Sequence, residues 1–148
     1  MNLKLKILFL CTGNSCRSQM AEGWARHLKN KEFEAFSAGV ENHGLNPNAV
    51  KVMAEAGVDI SAQRSKLLDE FKDSPLDAVV TVCGHAHETC PFLPGNHKLL
   101  HVGFDDPPQL ARELAAQGAS TEAQLDIYRR VRDEIRAFIA TLPAALQQ

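Results

Sequence analysis

Near the start of the chain, Ile7-Leu8-Phe9-Leu10 forms an apolar run with no polar alternation, and Cys11-Thr12-Gly13-Asn14-Ser15-Cys16-Arg17-Ser18 follows directly. A strand of this kind must be covered on both faces, which is the situation of a parallel sheet and not of a sheet with one wet side. The segment Leu5–Leu10 therefore reads as a buried strand. Met20, Ala21, Trp24, Ala25 and Leu28 then recur at helical spacing, so the order is strand, short loop, helix.

The same alternation continues. Phe33–Ser37 reads as a second strand, and Pro47 stands where a helix begins, with Val50, Met53 and Ala54 on one face and Gly57 as its stop. A shorter helix around Lys66–Phe71 leads to a third strand, Asp77–Cys83, with its Ala-Val-Val-Thr-Val core. After a loop from Gly84 to Gly95, with prolines at 91 and 94, Lys98–Val102 is the fourth strand. Asp105-Asp106-Pro107-Pro108 reads as a break in the chain. Thr121-Glu122-Ala123-Gln124 has the form of a capping box, and Leu125, Tyr128, Val131, Ile135, Phe138 and Leu142 mark the inner face of the last helix.

These elements predict an α/β fold, an open four-stranded parallel sheet flanked by helices, and a flavodoxin-like arrangement of it gives the strand order 2-1-3-4. At 148 residues and 45% hydrophobic content the chain suits one domain, 1–148, without repeat or linker. In such a sheet, ligands bind beyond the carboxyl ends of the strands, where the winding reverses between the first and third strands. Cys11 ends the first predicted strand and Cys83 the third, so with the order 2-1-3-4 neighbouring strands about 4.8 Å apart would bring both sulfurs to one crevice.

Composition narrows the location and the ligand. The formal net charge of −2 provides no general attraction for nucleic acid or anionic lipid, so an anion site must be built locally. Lys4 and Lys6 precede an apolar stretch, but Ile7–Leu10 falls short of the roughly 7–15 residues of a signal sequence. A cytoplasmic protein is expected, in which four cysteines mean reactive thiols or metal ligands and not a disulfide framework.

Five residues separate Cys11 from Arg17, between a strand and a helix. A loop of that length curls so that its N–H groups point inward and the helix N-terminus adds partial positive charge, a cradle for a tetrahedral oxyanion. Thr12, Gly13, Asn14, Ser15, Cys16, Arg17 and Ser18 are its substrate-binding residues. Gly13 and Asn14 tolerate the left-handed backbone that the curl needs, and Arg17 supplies a planar fork. The same donors favour a thiolate at Cys11, and Ser18 adds a hydroxyl hydrogen bond to the sulfur. An unperturbed thiol is about 3% ionised at neutral pH, so this effect contributes at most about thirtyfold. Positioning of the anion and donors aimed at developing charge contribute more.

The residues Cys11–Ser18 resemble the signature loop of the low-molecular-weight protein tyrosine phosphatases and of the thioredoxin-coupled arsenate reductases that share their fold. The resemblance to the reductases extends through Gln19–Trp24, Ser37-Ala38-Gly39, Val80–Cys83, Cys90-Pro91, Gly103–Pro107 and Arg130–Ile135. It implies that Cys11 attacks arsenate, that Asp106 protonates the leaving oxygen, and that Cys83 then attacks Cys11 and releases arsenite. Cys90 next attacks Cys83, leaving a Cys83–Cys90 disulfide for reduced thioredoxin, the partner and electron donor. No bound cofactor or metal is implied, and a monomer is expected. Asp105 and Asp106 are rivals for the acid, and Asp106 is chosen because it directly precedes Pro107. If residues 83–90 are helical when reduced, seven steps span about 10.5 Å. A disulfide tolerates only about 7 Å between Cα atoms, so such a segment must unwind on oxidation.

Two departures bear on function. Phosphatases of this kind carry aromatic residues after the Asp-Pro pair, where this chain has Pro108 and Gln109. Some thioredoxin-coupled members bind potassium through positions matching Asn14, Glu22 and Ser37 with an Asp at the position of Lys66. The lysine puts that cation site in doubt, and two readings stand, an ammonium in the ion's place beside Glu22 or an ordinary solvated lysine. Two rival readings remain at this point. One is a phosphatase acting on small phosphoesters, and the other a metal-binding protein using Cys83, His85, His87 and Cys90.

Overall fold

The computed structural model describes residues 4–82 and 97–147. Its sheet has four parallel strands in the order β2-β1-β3-β4: β1 Leu5–Cys11, β2 Phe33–Gly39, β3 Ala78–Thr81 and β4 Lys98–His101. β1 is central, which explains its unbroken apolar run. Ile7, Phe9 and Cys11 face one layer, while Leu8 and Leu10 join Ala38, Val79, Leu68 and Phe71 in the other. Phe9 is fully buried. Its truncation to alanine removes about 3–5 kcal/mol.

The larger layer contains α1 Arg17–Leu28, α2 Pro47–Glu55, α3 Pro107–Ala116 and α4 Thr121–Ala140. α1 packs on the sheet and against α4, and the indole N–H of Trp24 donates to the Arg132 carbonyl at 3.1 Å. Gly23 costs α1 about 0.5–1 kcal/mol of helix propensity relative to alanine. A Cβ there would lie 2.6 Å from Ile60 Cγ2, so close packing requires the glycine.

Several local expectations shift. α2 begins as expected, with Asn46 accepting from the N–H groups of Asn48 and Ala49 ahead of Pro47, and Gly57 follows its end at φ +86°. Its buried stripe is Ala49, Val52 and Met53, with Val50 only half-buried and Ala54 exposed. Apolar residues at 49, 50, 52, 53 and 54 allow either stripe, and the packing against α4 selects one. Pro107 and Pro108 start α3 instead of only breaking the chain, because the first helical turn needs no intrahelical N–H. The α4 cap is Ser120, accepting from Ala123 N at 3.1 Å, one residue before the expected box.

The expected helix at Lys66–Phe71 is a 3-10 turn, Leu68–Phe71. Lys66 and Leu67 instead run alongside the end of β2, where Gly39 N donates to the Lys66 carbonyl at 2.9 Å. No helix among the described residues is long and apolar enough to cross a membrane.

Candidate active site

Between Cys11 and α1 the chain curls beyond the carboxyl end of the sheet. Carbonyls along the curl find donors on its outside. The Thr12 carbonyl accepts from Glu41 N (2.9 Å), Gly13 from His43 N (3.0 Å), Ser15 from Asn46 N (2.9 Å) and Cys16 from Met20 N (2.9 Å). Gly13 also accepts from Ser65 Oγ at 3.2 Å, and Asn14 from Gln19 Nε2 at 3.0 Å. In a planar trans peptide the N–H opposes the C=O, so outward carbonyls turn the loop's N–H groups toward the hollow.

Asn14 holds the curl. Its φ of +48° is the left-handed conformation expected for the Gly13-Asn14 pair, and Asn14 alone of the two adopts it. Wholly buried, its side chain accepts from Lys66 N at 2.7 Å and from Gln19 Nε2 at 3.1 Å. It donates to Ser18 Oγ at 2.8 Å. Because that oxygen accepts from Asn14, the Ser18 hydroxyl hydrogen is free to turn elsewhere. Gly13 has a different purpose, since a Cβ there would collide with the His43 ring. Gly39 is required for the same reason, as a Cβ would lie 2.7 Å from Asn14 N.

The hollow opens into a cavity of about 450 Å³. Cys11, Thr12, Gly13, Ser15, Cys16 and Arg17 line its floor, the segment from His43 to Pro47 one wall, and Asp106, Pro108 and Arg112 the other. Arg17 is 7% exposed. Its Nη1 donates to the Phe104 carbonyl at 3.0 Å, its Nη2 lies 3.7 Å from Asp106 Oδ1, and its buried Nε has no acceptor among the described residues. An unsatisfied buried donor costs about 1–3 kcal/mol.

The neighbouring acids separate clearly. Asp106 is the residue before α3 and lines the cavity, whereas Asp105 Oδ2 accepts from Arg130 Nη2 at 2.9 Å on the outside of α4. Cys16 lines the floor beside Cys11, but burial first, and then the negative charge of Cys11, push its thiol well above the usual range. Cys16 therefore remains a thiol at neutral pH. Cys83 and Cys90, with His85 and His87, lie outside the described residues.

Residues 6–148 match the family model of the low molecular weight phosphotyrosine protein phosphatases. The chain belongs to this phosphatase family. Within it, the chain is 51% identical over 141 residues to an arsenate reductase of Halalkalibacterium halodurans, covering 95% of this chain and 96% of that one. The solved structure of an arsenate reductase in the phosphate binding state is 31% identical with a TM-score of 0.72, covering 96% of this chain and 98% of that one. A thioredoxin-dependent arsenate reductase of Corynebacterium glutamicum is 26% identical with a TM-score of 0.65, covering 97% of this chain and 62% of that one.

Behind this phosphatase-family loop lies a buried charge network. Glu22, 2% exposed, accepts from Ser37 Oγ at 2.6 Å and sits 3.0 Å from Arg26 Nη2. Lys66 Nζ lies 3.6 Å from the same carboxylate and donates to the Arg64 carbonyl at 2.6 Å. Two cationic side chains thus already flank Glu22, and the residues present do not fit an additional potassium ion. Among the described residues no cluster of histidine, cysteine and carboxylates could hold a metal.

The sequence reading missed His43, Pro108 and Arg112 as cavity residues, and Gln19 and Ser65 as braces of the loop. None of them carried a local signal: Gln19 lies off the apolar stripe of α1 and is buried together with the polar residues Arg17, Ser18 and Glu22.

Proposed function

We propose that this protein reduces arsenate to arsenite by a three-cysteine relay regenerated by thioredoxin. The observation that carries the reading is the hollow itself: outward carbonyls, an Arg17 Nε with no acceptor among the described residues, Cys11 at its floor and Asp106 at its rim. The named activity of the relatives gives the oxyanion its identity.

In this scheme the Cys11 thiolate attacks arsenic(V), forming a sulfur–arsenic bond while Asp106 gives its proton to the oxygen that leaves as water. Arg17 and the loop N–H groups hold the remaining oxygens and the charge that develops on them. The Cys83 thiolate then attacks Cys11 Sγ, and the sulfur–arsenic bond breaks with its electron pair going to arsenic. Arsenite leaves, and two sulfurs have supplied two electrons. Cys90 attacks Cys83, freeing Cys11, and a reduced thioredoxin reopens the Cys83–Cys90 disulfide. The path of β3 supports this relay, since Val82 N donates to the Leu10 carbonyl at 2.9 Å, beside Cys11. The chemistry suits one domain working as a monomer in the reducing cytoplasm.

Arsenate-dependent NADPH oxidation with thioredoxin and its reductase tests the proposal, with glutathione and glutaredoxin as the comparison. Thioredoxin should support turnover and the glutathione system should not. The family model favours one other reading, hydrolysis of a small phosphoester at the same loop. Turnover of p-nitrophenyl phosphate without any arsenate-dependent oxidation would select it.

A further inference from the structure

The chain has eight arginines, all of them among the described residues. Seven are engaged: Arg17 with Asp106, Arg26 with Glu22, Arg64 with Glu70, Arg129 with Glu55, Arg130 with Asp105, Arg132 with Asp133, and Arg136 over the Trp24 ring. Arg112 differs. It lines the cavity wall and makes no hydrogen bond or ion pair among the described residues.

Its place in α3 explains why no described residue neutralises it. A helical arginine finds its usual partners three and four residues away, and here those are Pro108, Gln109, Ala115 and Ala116, with no carboxylate. Helical side chains lean toward the N-terminus, which directs Arg112 over Pro108 and the cavity mouth. Pro107 and Pro108 also lack N–H groups, and Leu110 N already donates to the Asp106 carbonyl at 3.1 Å. The start of α3 therefore offers an anion few backbone donors, and a side chain must supply the attraction on this wall.

The charge balance gives that attraction a purpose. The chain carries a formal net charge of −2, so its overall field does not draw in a dianion. At the floor, Arg17 faces Asp106 at 3.7 Å, and the two charges partly offset each other. We propose that Arg112 is the capture residue of the site: its guanidinium, which no described residue engages, receives the incoming inorganic oxyanion at the mouth and delivers it to the Cys11 loop, without acting in the chemical step. The proposal rests on the reading of this hollow as the arsenate site.

The test compares Arg112→Gln, Arg112→Lys and Lys31→Gln with the unmodified protein. Lys31 lies at the amino end of the sheet, just before β2, so its variant makes the same change in net charge far from the cavity. Arsenate protection of Cys11 from iodoacetamide, a neutral reagent, is read by the mass of the Cys11 peptide. At low salt, Arg112→Gln should need about tenfold more arsenate for half-protection, with the difference shrinking as salt rises. Arg112→Lys should stay within about threefold of the unmodified protein, and Lys31→Gln should match it. Single-turnover reduction at saturating arsenate should differ by less than about twofold in Arg112→Gln. Protection equal to that of the unmodified protein, an equal loss in Lys31→Gln, or a tenfold drop at saturation would each overturn the capture role. Absence of protection in the unmodified protein would instead remove the arsenate site and this proposal with it.

Discussion

Replacing Lys66 with methionine keeps the length of the side chain and removes its ammonium from the network behind the loop. Three contributions set the size of the effect. Glu22 loses a cation at 3.6 Å but keeps Arg26 at 3.0 Å and Ser37 at 2.6 Å, so it is not left unpaired. The Arg64 carbonyl loses the ammonium at 2.6 Å but still accepts from Gln19 Nε2 at 2.9 Å. The third contribution opposes these, because burial is the main reason that the Lys66 pKa is lowered, and removing the charge removes that cost. Leaving a buried charge wholly unpaired costs about 3–5 kcal/mol, and here the partial compensation reduces the loss to about 1–2 kcal/mol. For a chain of this length that is a fall in Tm of roughly 2–8 °C.

The pH dependence has a definite sign. The folded state releases the Lys66 proton at lower pH than the unfolded state, so between the lowered pKa and the ordinary lysine value the unfolded chain binds more protons. Below that window the burial cost is present in full, and within it the folded state is relieved as pH rises. The stability gap between the unmodified protein and Lys66→Met should therefore widen from neutral to alkaline pH in urea titrations. Potassium and sodium chloride at equal ionic strength should stabilise the unmodified protein equally, whereas Lys66→Asp should gain a potassium-specific stabilisation. A Lys66→Met variant within about 0.5 kcal/mol of the unmodified protein at every pH, or potassium-specific stabilisation of the unmodified protein, would refute the argument.

Other outcomes follow from the same geometry. Asp106→Asn should slow single-turnover arsenate reduction by about 10²–10⁴-fold, while Asp105→Asn, which loses only an exposed pair with Arg130, should change it little; equal small effects would place the acid elsewhere. Cys11→Ser, Cys83→Ser and Cys90→Ser should each abolish thioredoxin-coupled turnover and Cys16→Ser should retain it, so full turnover by Cys90→Ser would end the three-thiol scheme. Asn14→Gly retains the backbone at φ +48° but loses the side-chain bonds to Ser18, Lys66 and Gln19, whereas Asn14→Ala also meets the left-handed penalty. Thermal unfolding should rank alanine below glycine by about 1–2 kcal/mol, and the reverse order would show that the left-handed conformation is not what selects asparagine.

The central strand and the anion loop were legible in the sequence because each rests on local chemistry, whereas the order 2-1-3-4 came by analogy with flavodoxin-like sheets and was then met by the structure. An apolar run without alternation suits a strand covered on both sides, and Ile7–Leu10 lies at the centre of the sheet. The loop's length, its Asn14 and its Arg17 are short-range requirements of a curl between a strand and a helix. The start of α2 at Pro47 was readable for the same reason, but its buried face was not, since five apolar residues fit two stripes. Pro107 was likewise ambiguous, because proline both ends one element and starts the next. The expected helix at Lys66 lost to long-range bonds from Asn14 and Gly39. Adjacent residues of identical type were the hardest to separate. Asp105 and Asp106 differ by one position; the sequence favoured Asp106 only by its resemblance to an Asp-Pro element, and the physical difference comes from the packing of α4, which brings Arg130 to the first and leaves the second facing Arg17. Nothing local singles out Arg112, and only α3 carries it to the cavity wall, because the field a charge acts in depends on what the fold places around it and not on its neighbours in the chain.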